Sequence, residues 1–305
     1  MKYRLTHKTW YAYSEPAPVC HNLVHLAPRT TNRQTCRDYQ LSIDPAPAFI
    51  SRREDYFGNA VEYFSIESPH RRLEVAADSV VDVAPLDRGP LARSAPWEDV
   101  AAGARHTGDP LQPLETLEPL PWHFLVPTQR VALSPELTAY AAVSFPPGRP
   151  VVGALRDLTA RIHREFRFDP RSTHVNTPLA DVLRERRGVC QDFAHLAVGA
   201  LRAMGLPGRY VSGYLRTTAP PGKPRLVGAD ASHAWAACWC GDLGWVDFDP
   251  TNNCLVDADH ITVAWGRDYG DVCPIQGVFV GGGEHAMGVS VDVVPQDAAS
   301  TAPSA

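Results

Sequence analysis

Cys190 stands in the run Arg187-Gly-Val-Cys190-Gln-Asp-Phe-Ala-His195, where a turn feeds a helix. Leu196, Leu201 and Met204 among small alanines predict a helix that stops at Gly205, with Pro207 just beyond. Cys190 then occupies its first turn. Unpaired backbone N–H groups and the positive end of the helix dipole favour a thiolate there, and the thiolate is the attacking species. The same N–H groups can hydrogen-bond an oxyanion. A nucleophilic thiol also needs a base and a group that orients the base. Asp230-Ala-Ser-His233-Ala-Trp235 begins a strand-like run, and Gly244-Trp-Val-Asp-Phe-Asp249-Pro-Thr251 forms the next. With the two strands side by side, Asp249 accepts from one imidazole nitrogen of His233 and the other faces Cys190.

Other groups that could do chemistry have plainer readings. His195 lies about 140° around the helix from Cys190, so it reads as a hydrogen-bonded core histidine. Asp192 reads as a helix-start carboxylate that complements the dipole. Cys238 and Cys240 share a strand face, and His233, Cys254 or His260 could be imagined as further zinc ligands. Structural zinc sites favour two to four residues between paired ligands, so these are read as core or strand-surface thiols. Gly281-Gly282-Gly283 has no following helix signature and reads as a turn, not a phosphate loop. Tyr214 and Trp235 either line the acyl cleft or fill the core.

The order Cys, then His-Ala-Trp, then Gly-Trp-x-x-x-Asp-Pro-Thr is similar to that of the transglutaminase-like superfamily of papain-like cysteine enzymes. GVCQDFAHL, LRAMGLPGRYVSGYL, GADASHAW and GWVDFDPTNN resemble its bacterial branch of transglutaminase-like proteins and cysteine proteases. Tyr3 to Tyr13, Asn22 to Arg29 and Asp55-Tyr-Phe-Gly-Asn59 resemble the small β-rich domain that precedes the catalytic core there. The run from His260 to Val272 fits the same branch. Only scattered pieces such as Pro96-Trp97-Glu98 match in the Pro-rich middle. The resemblance implies a triad of Cys190 as nucleophile, His233 as general base and then acid, and Asp249 as the orienting carboxylate. Asp247 would share a strand face with Asp249, but the superfamily places the acid immediately before Pro-Thr, which selects Asp249. Relatives draw a second oxyanion donor from a side chain upstream of the cysteine, and spacing does not separate Gln129, His174 and Asn176.

With these roles the sulfur attacks an amide carbonyl, the amine leaves with a proton from the imidazole, and a thioester remains. Water resolving it gives a cysteine-dependent amide or peptide hydrolase, the preferred reading. A primary amine resolving it gives a transglutaminase-type acyl transferase. A third reading is a catalytically idle scaffold whose β-rich domain recruits a partner, and the complete set of thiol, imidazole and carboxylate argues against it. The substrate class is a protein or peptide amide. No metal or organic cofactor is implied, since the nucleophile is intrinsic, no dinucleotide or phosphate motif occurs, and no acidic loop is present for calcium.

Positioning these groups requires an α+β papain-like core of helices packed on an antiparallel sheet. Ser134-Pro135-Glu136 opens one helix, with Ser134 as cap and Pro135 in its first position. Pro150 opens a second, with Val152, Leu155, Leu158, Ile162 and Phe166 at three- and four-residue intervals. The third carries Cys190. Strands over 209–215, 233–240 and 244–249 follow. Upstream, Leu5, His7, Thr9 and Tyr11, then Tyr39, Leu41 and Ile43, then Val61 and Tyr63, and finally Val80 to Val83, predict an antiparallel sheet or sandwich. The domain reading is therefore a β-rich unit over 1–85, a Pro-rich connecting arm laid across the surface over 86–130 with a short helix near Trp97 to Ala102, a catalytic domain over 131–294, and a disordered tail over 295–305.

Composition excludes other classes. With 305 residues the chain exceeds what one core usually holds, so two domains are expected. A formal net charge of −5, with both signs mixed along the chain, gives no basis for binding nucleic acid or an anionic membrane. No apolar stretch reaches the ~18 residues of a membrane span, and the N-terminus lacks a signal-like apolar region. Seven cysteines without such a signal read as reduced thiols, which places the protein in a bacterial-type cytoplasm. A homodimer is neither required nor forbidden.

Overall fold

Alternation of apolar and polar residues sets the first element of the computed structural model, which describes residues 1–105, 119–217 and 232–296. Strand β1 (Lys2–Ala17) buries Tyr3, Leu5, His7 and Thr9 and turns Lys2 and Arg4 outward. Five strands follow: β2 (Val19–Val24), β3 (Gln34–Asp44), β4 (Phe49–Glu54), β5 (Ala60–Ile66) and β6 (His70–Val83). After helix α1 (Trp97–Ala104) come α2 (Pro135–Ala142), α3 (Val151–Glu165), the two-residue strand β7 (Arg167–Phe168), α4 (Leu179–Glu185), its parallel partner β8 (Arg187–Gly188) and α5 (Cys190–Ala203). The chain then forms β9 (Gly208–Leu215), β10 (Ser232–Trp239), β11 (Trp245–Asp249), β12 (Cys254–Leu255), β13 (His260–Gly266), α6 (Tyr269–Val272), β14 (Ile275–Val280) and β15 (His285–Pro295).

The α+β class expected from the sequence is what the chain adopts. Two four-stranded antiparallel sheets, ordered β15-β1-β6-β3 and β14-β2-β5-β4, form the N-terminal unit. Tyr13, Leu73 and Val75 of the first sheet meet Cys20, Val24, Phe64 and Ile66 of the second in a shared apolar core. The catalytic-domain boundary at 294 needs correction. Strands β14 and β15 pair with β2 and β1 and so complete the N-terminal sheets, crossing over through the turn at Gly281–Gly283, where all three glycines have positive φ. The tail boundary shifts as well, because Pro295 ends β15; residues 297–305 lie outside the described residues. The arm over 86–130 is also corrected in its described part. It contains α1 and buries Leu91, Val100, Ala104 and Phe124, so it is a component of the core and not a surface strap.

The core sheet is antiparallel in the order β12-β11-β10-β9-β13. Helix α5 lies on β9 and β10, with α2, α3 and α4 against it. Phe193, Leu196, Val198 and Leu201 are buried along it, and Ala194, Ala197 and Ala200 let the helix approach the small face of Ala234 and Ala236. Each fully buried large apolar side chain contributes about 1.5–3 kcal/mol. Ser134 caps α2 by accepting from the Leu137 N–H at 3.2 Å, with Pro135 in the first turn. Helix α3 buries the residues its periodicity marked.

Two side-chain amides bond the N-terminal unit to the backbone of the core sheet's edge strand. The Gln34 amide donates to the Thr262 carbonyl at 2.7 Å and accepts from the Thr262 N–H at 2.8 Å. Asn59, fully buried in the Asp55–Asn59 turn, does the same for Trp265, at 2.8 and 3.0 Å. These amides bond the outer edge of β13 as another strand would, so an exposed row of backbone groups is closed. Arg29 stacks on the Trp265 ring, 3.6 Å from its centroid. No helix among the described residues is long and apolar enough to cross a membrane.

Candidate active site

Cys190 is the first residue of α5 and is partly exposed. The turn before it is fixed by Asp192, whose buried carboxylate accepts from the Val189 N–H at 2.8 Å and the Thr173 hydroxyl at 2.7 Å. Burial pushes the Asp192 carboxyl up, against those two hydrogen bonds. Asp192 therefore serves the helix start, as its position in the sequence suggests. Gly188 makes the turn possible, since a Cβ there would fall 2.7 Å from a carboxylate oxygen of Asp192.

His233 is the second residue of β10, opposite Gly213 of β9. A Cβ on Gly213 would meet the Ile261 carbonyl at 2.1 Å and the Trp235 ring at 2.5 Å, so β9, β10 and β13 close up at this level only around glycine. Asp249 ends β11 with no exposed surface. His233 Nε2 donates to its Oδ2 at 2.7 Å. Asn252 Nδ2 and His260 Nε2 donate to the same oxygen at 2.6 and 3.1 Å, and the N–H groups of Thr251 and Asn252 reach Oδ1 at 2.8 and 3.2 Å. With Nε2 committed, Nδ1 is the ring nitrogen of His233 left for another partner, and the sulfur of Cys190 is among the groups that favour charge on the ring.

Burial opposes charge on His233, but hydrogen bonds to Asp249 and Cys190 and the charges of both outweigh it, and its pKa is pushed up to about 10. Burial likewise opposes the Asp249 anion. Donation from His233, His260 and Asn252 overcomes that and holds the carboxyl well below the usual carboxylate range. An imidazolium poised between a carboxylate and a thiolate can release its proton to a leaving amine, and the neutral imidazole left behind can take one from an attacking group.

The remaining candidates separate by their partners. Asp247 accepts from Trp235 Nε1 at 3.0 Å and pairs with Arg209 at 3.6 Å, so it is engaged away from His233. Trp235 is fully buried, and Tyr214, also buried, meets His7 Nδ1 through its hydroxyl at 2.9 Å; both fill the core. His195 accepts from the Tyr269 N–H at 3.1 Å, and burial drives its pKa down to about 4. The Cys238 and Cys240 thiols are buried and directed to backbone carbonyls. Gln129, His174 and Asn176 are exposed, and among the described residues no hydrogen bond joins any of them to Cys190. Asp230 and Ala231, which precede His233 in its motif, lie outside the described residues.

His260 and Asn252 are the contributors to this cluster that sequence reasoning missed. Asn252 sits three residues after Asp249 in the same turn, a short-range signal that was available. His260 arrives from another strand. One ligand atom each from His233, Asp249 and His260 lie within 4.8 Å of one another, the spacing of a cation site, but hydrogen bonding to one carboxylate accounts for it.

Residues 3–82 match the model of the bacterial transglutaminase-like N-terminal region, and residues 144–250 match that of the transglutaminase-like superfamily. An uncharacterized protein of Mycobacterium tuberculosis is 43% identical over 305 residues, covering 96% of this chain and 93% of the relative. One from Mycobacterium leprae is 35% identical over 299 residues, covering 95% and 97%. A protein-glutamine gamma-glutamyltransferase of Pseudomonas aeruginosa is 32% identical over 102 residues, which is 31% of this chain and 15% of that protein. Among solved structures, a candidate cysteine protease from Cytophaga hutchinsonii superposes with a TM-score of 0.72 at 21% identity, covering 97% of this chain and 92% of the other, and so shares its fold.

Proposed function

The chain belongs to the transglutaminase-like superfamily, and from that premise we propose that it is a cysteine-dependent amide or peptide hydrolase. The observation that carries this reading is the placement of His233, with Nε2 donating to Asp249 at 2.7 Å and Nδ1 left for a partly exposed thiol at the start of a buried helix. In the proposed cycle the Cys190 proton already rests on Nδ1, as the raised pKa of His233 requires, and the thiolate sulfur adds to the amide carbonyl carbon. The resulting oxyanion meets the free N–H groups of the first turn of α5. The C–N bond breaks as the imidazolium protonates the amine, leaving a thioester. His233 then deprotonates a water that adds to the thioester, and the sulfur leaves as a thiolate beside the imidazolium and frees the acid.

A second reading is acyl transfer to a primary amine, favoured by the similarity over 102 residues to a protein-glutamine gamma-glutamyltransferase. The seven free thiols support placing the chemistry in a reducing compartment, the cytoplasm. To test both readings, a mixture of Gln- and Asn-containing peptides is incubated with the protein and a fluorescent primary amine, and the products are weighed by mass spectrometry. Cleaved or deamidated peptides support the hydrolase, and amine adducts support the transferase. Products that persist with Cys190→Ala, or none with the parent protein, would discard the thiol mechanism.

A further inference from the structure

We propose that His260 is a positioning residue for this thiol chemistry, holding the Asp249 carboxylate in the orientation that aligns His233 with Cys190. The inference rests on the thiol-enzyme reading above. His260 enters from the first residue of β13 and places Nε2 3.1 Å from Asp249 Oδ2, the oxygen that also receives His233. Its ring is buried, lies edge-on to Trp235 at 5.3 Å between centroids, and sits 6.2 Å from the His233 ring. Asp249 is thereby gripped from two sides. Backbone N–H groups hold Oδ1, and His260 and Asn252 flank His233 at Oδ2, which removes the freedom of the carboxylate to swing away from the catalytic imidazole.

Packing alone does not explain an imidazole at this place. Its Nδ1 is buried with no hydrogen-bond partner among the described residues, an unfavourable arrangement that an apolar side chain of similar size would avoid. The Nε2 bond to Asp249 is what the imidazole supplies in return. The support extends further back, because β13 is itself held at Thr262 and Trp265 by the Gln34 and Asn59 amides. A chain of contacts therefore runs from the N-terminal unit through β13 and His260 to the carboxylate.

The test is the rate at which iodoacetamide alkylates Cys190, followed by peptide mass mapping in the intact chain. In the parent protein Cys190 reacts faster than Cys254 and Cys273, and His233→Ala abolishes that advantage. His260→Leu slows Cys190 by about tenfold, the effect expected of one lost hydrogen bond to a charged group. His260→Gln, whose amide can reach the Nε2 position, stays within about threefold of the parent. In an Asp249→Asn background His260→Leu brings no further slowing, because the two act through one contact. If His260→Leu fails to fold, His260→Asn, too short to reach Asp249, carries the same expectation. A parental rate in a folded His260→Leu, or equal slowing with and without Asp249, overturns the role of His260 alone. A slow Cys190 in the parent protein overturns the thiol-enzyme reading and the proposal together.

Discussion

Asp249 accepts from five donors, while Asp247, two residues earlier on the same strand face, serves Trp235 and Arg209. Alternation along the strand could not separate them, because both point the same way; the Asp-Pro-Thr motif selected Asp249, which is the one that accepts from His233. Cys190, His233 and Asp249 were legible because each sits in a short run of linked residues. The contact of His260 with Asp249 was not, since the two lie eleven positions apart on non-adjacent strands. The His233 pair also makes a pH prediction. An imidazole raised from 6.5 to about 10 on folding adds stability that is complete below the unfolded value and lost as pH rises through the folded one. The carboxylate contributes in the opposite sense, with stability present above its unfolded pKa of about 3.9 and lost as pH falls through its lowered folded value. His233→Gln is therefore expected to be less stable than the parent by about 3–5 kcal/mol near pH 6, with the gap shrinking toward pH 10. Denaturant titrations of both proteins at several pH values measure it, and a gap that widens with pH contradicts the pairing.

Helices with a cap and a long apolar stripe were readable, as α2, α3 and α5 demonstrate. Helix α4 was not. Seven residues hold only Leu179, Val182 and Leu183 as a buried face, too few turns for a periodicity to stand out. Strand β4 escaped for another reason. It is an edge strand with a largely exposed Phe49–Glu54 run, so its residues do not alternate. At this scale the tightest constraint is Gly213, where three strands converge beside His233. Gly213→Ala should force β9 away from β13 and cost about 1–3 kcal/mol in stability. Because His233 and His260 flank that point, it should also slow Cys190 alkylation. A variant that melts and reacts like the parent would show that the sheet gives way more easily than its contacts indicate.

The strand partners of β14 and β15 could not be read, because they lie more than 200 positions upstream and strand pairing leaves no local trace. The part that the Gln34 and Asn59 amides play between the units was equally hidden, because both resemble ordinary turn residues. Replacing Asn59 by Ala leaves the Trp265 N–H and carbonyl without their partner. A loss of about 3 kcal/mol follows, measurable as a lowered denaturant midpoint, and an unchanged midpoint would mean that the Asn59 bonds contribute nothing net to the contact. The pairing of Tyr3 with Pro295 carries a further consequence for biosynthesis. A ribosome delivers β1 well before β15, so β1 waits with one side unpaired until β15 has been made. The helix and sheet that carry Cys190, His233 and Asp249 have all emerged by then. The two sheets begun by β1 and β2 are thus completed only after the core sheet, and a nascent chain stalled before residue 275 would leave the β1 and β2 edges open to whatever chaperone attends it.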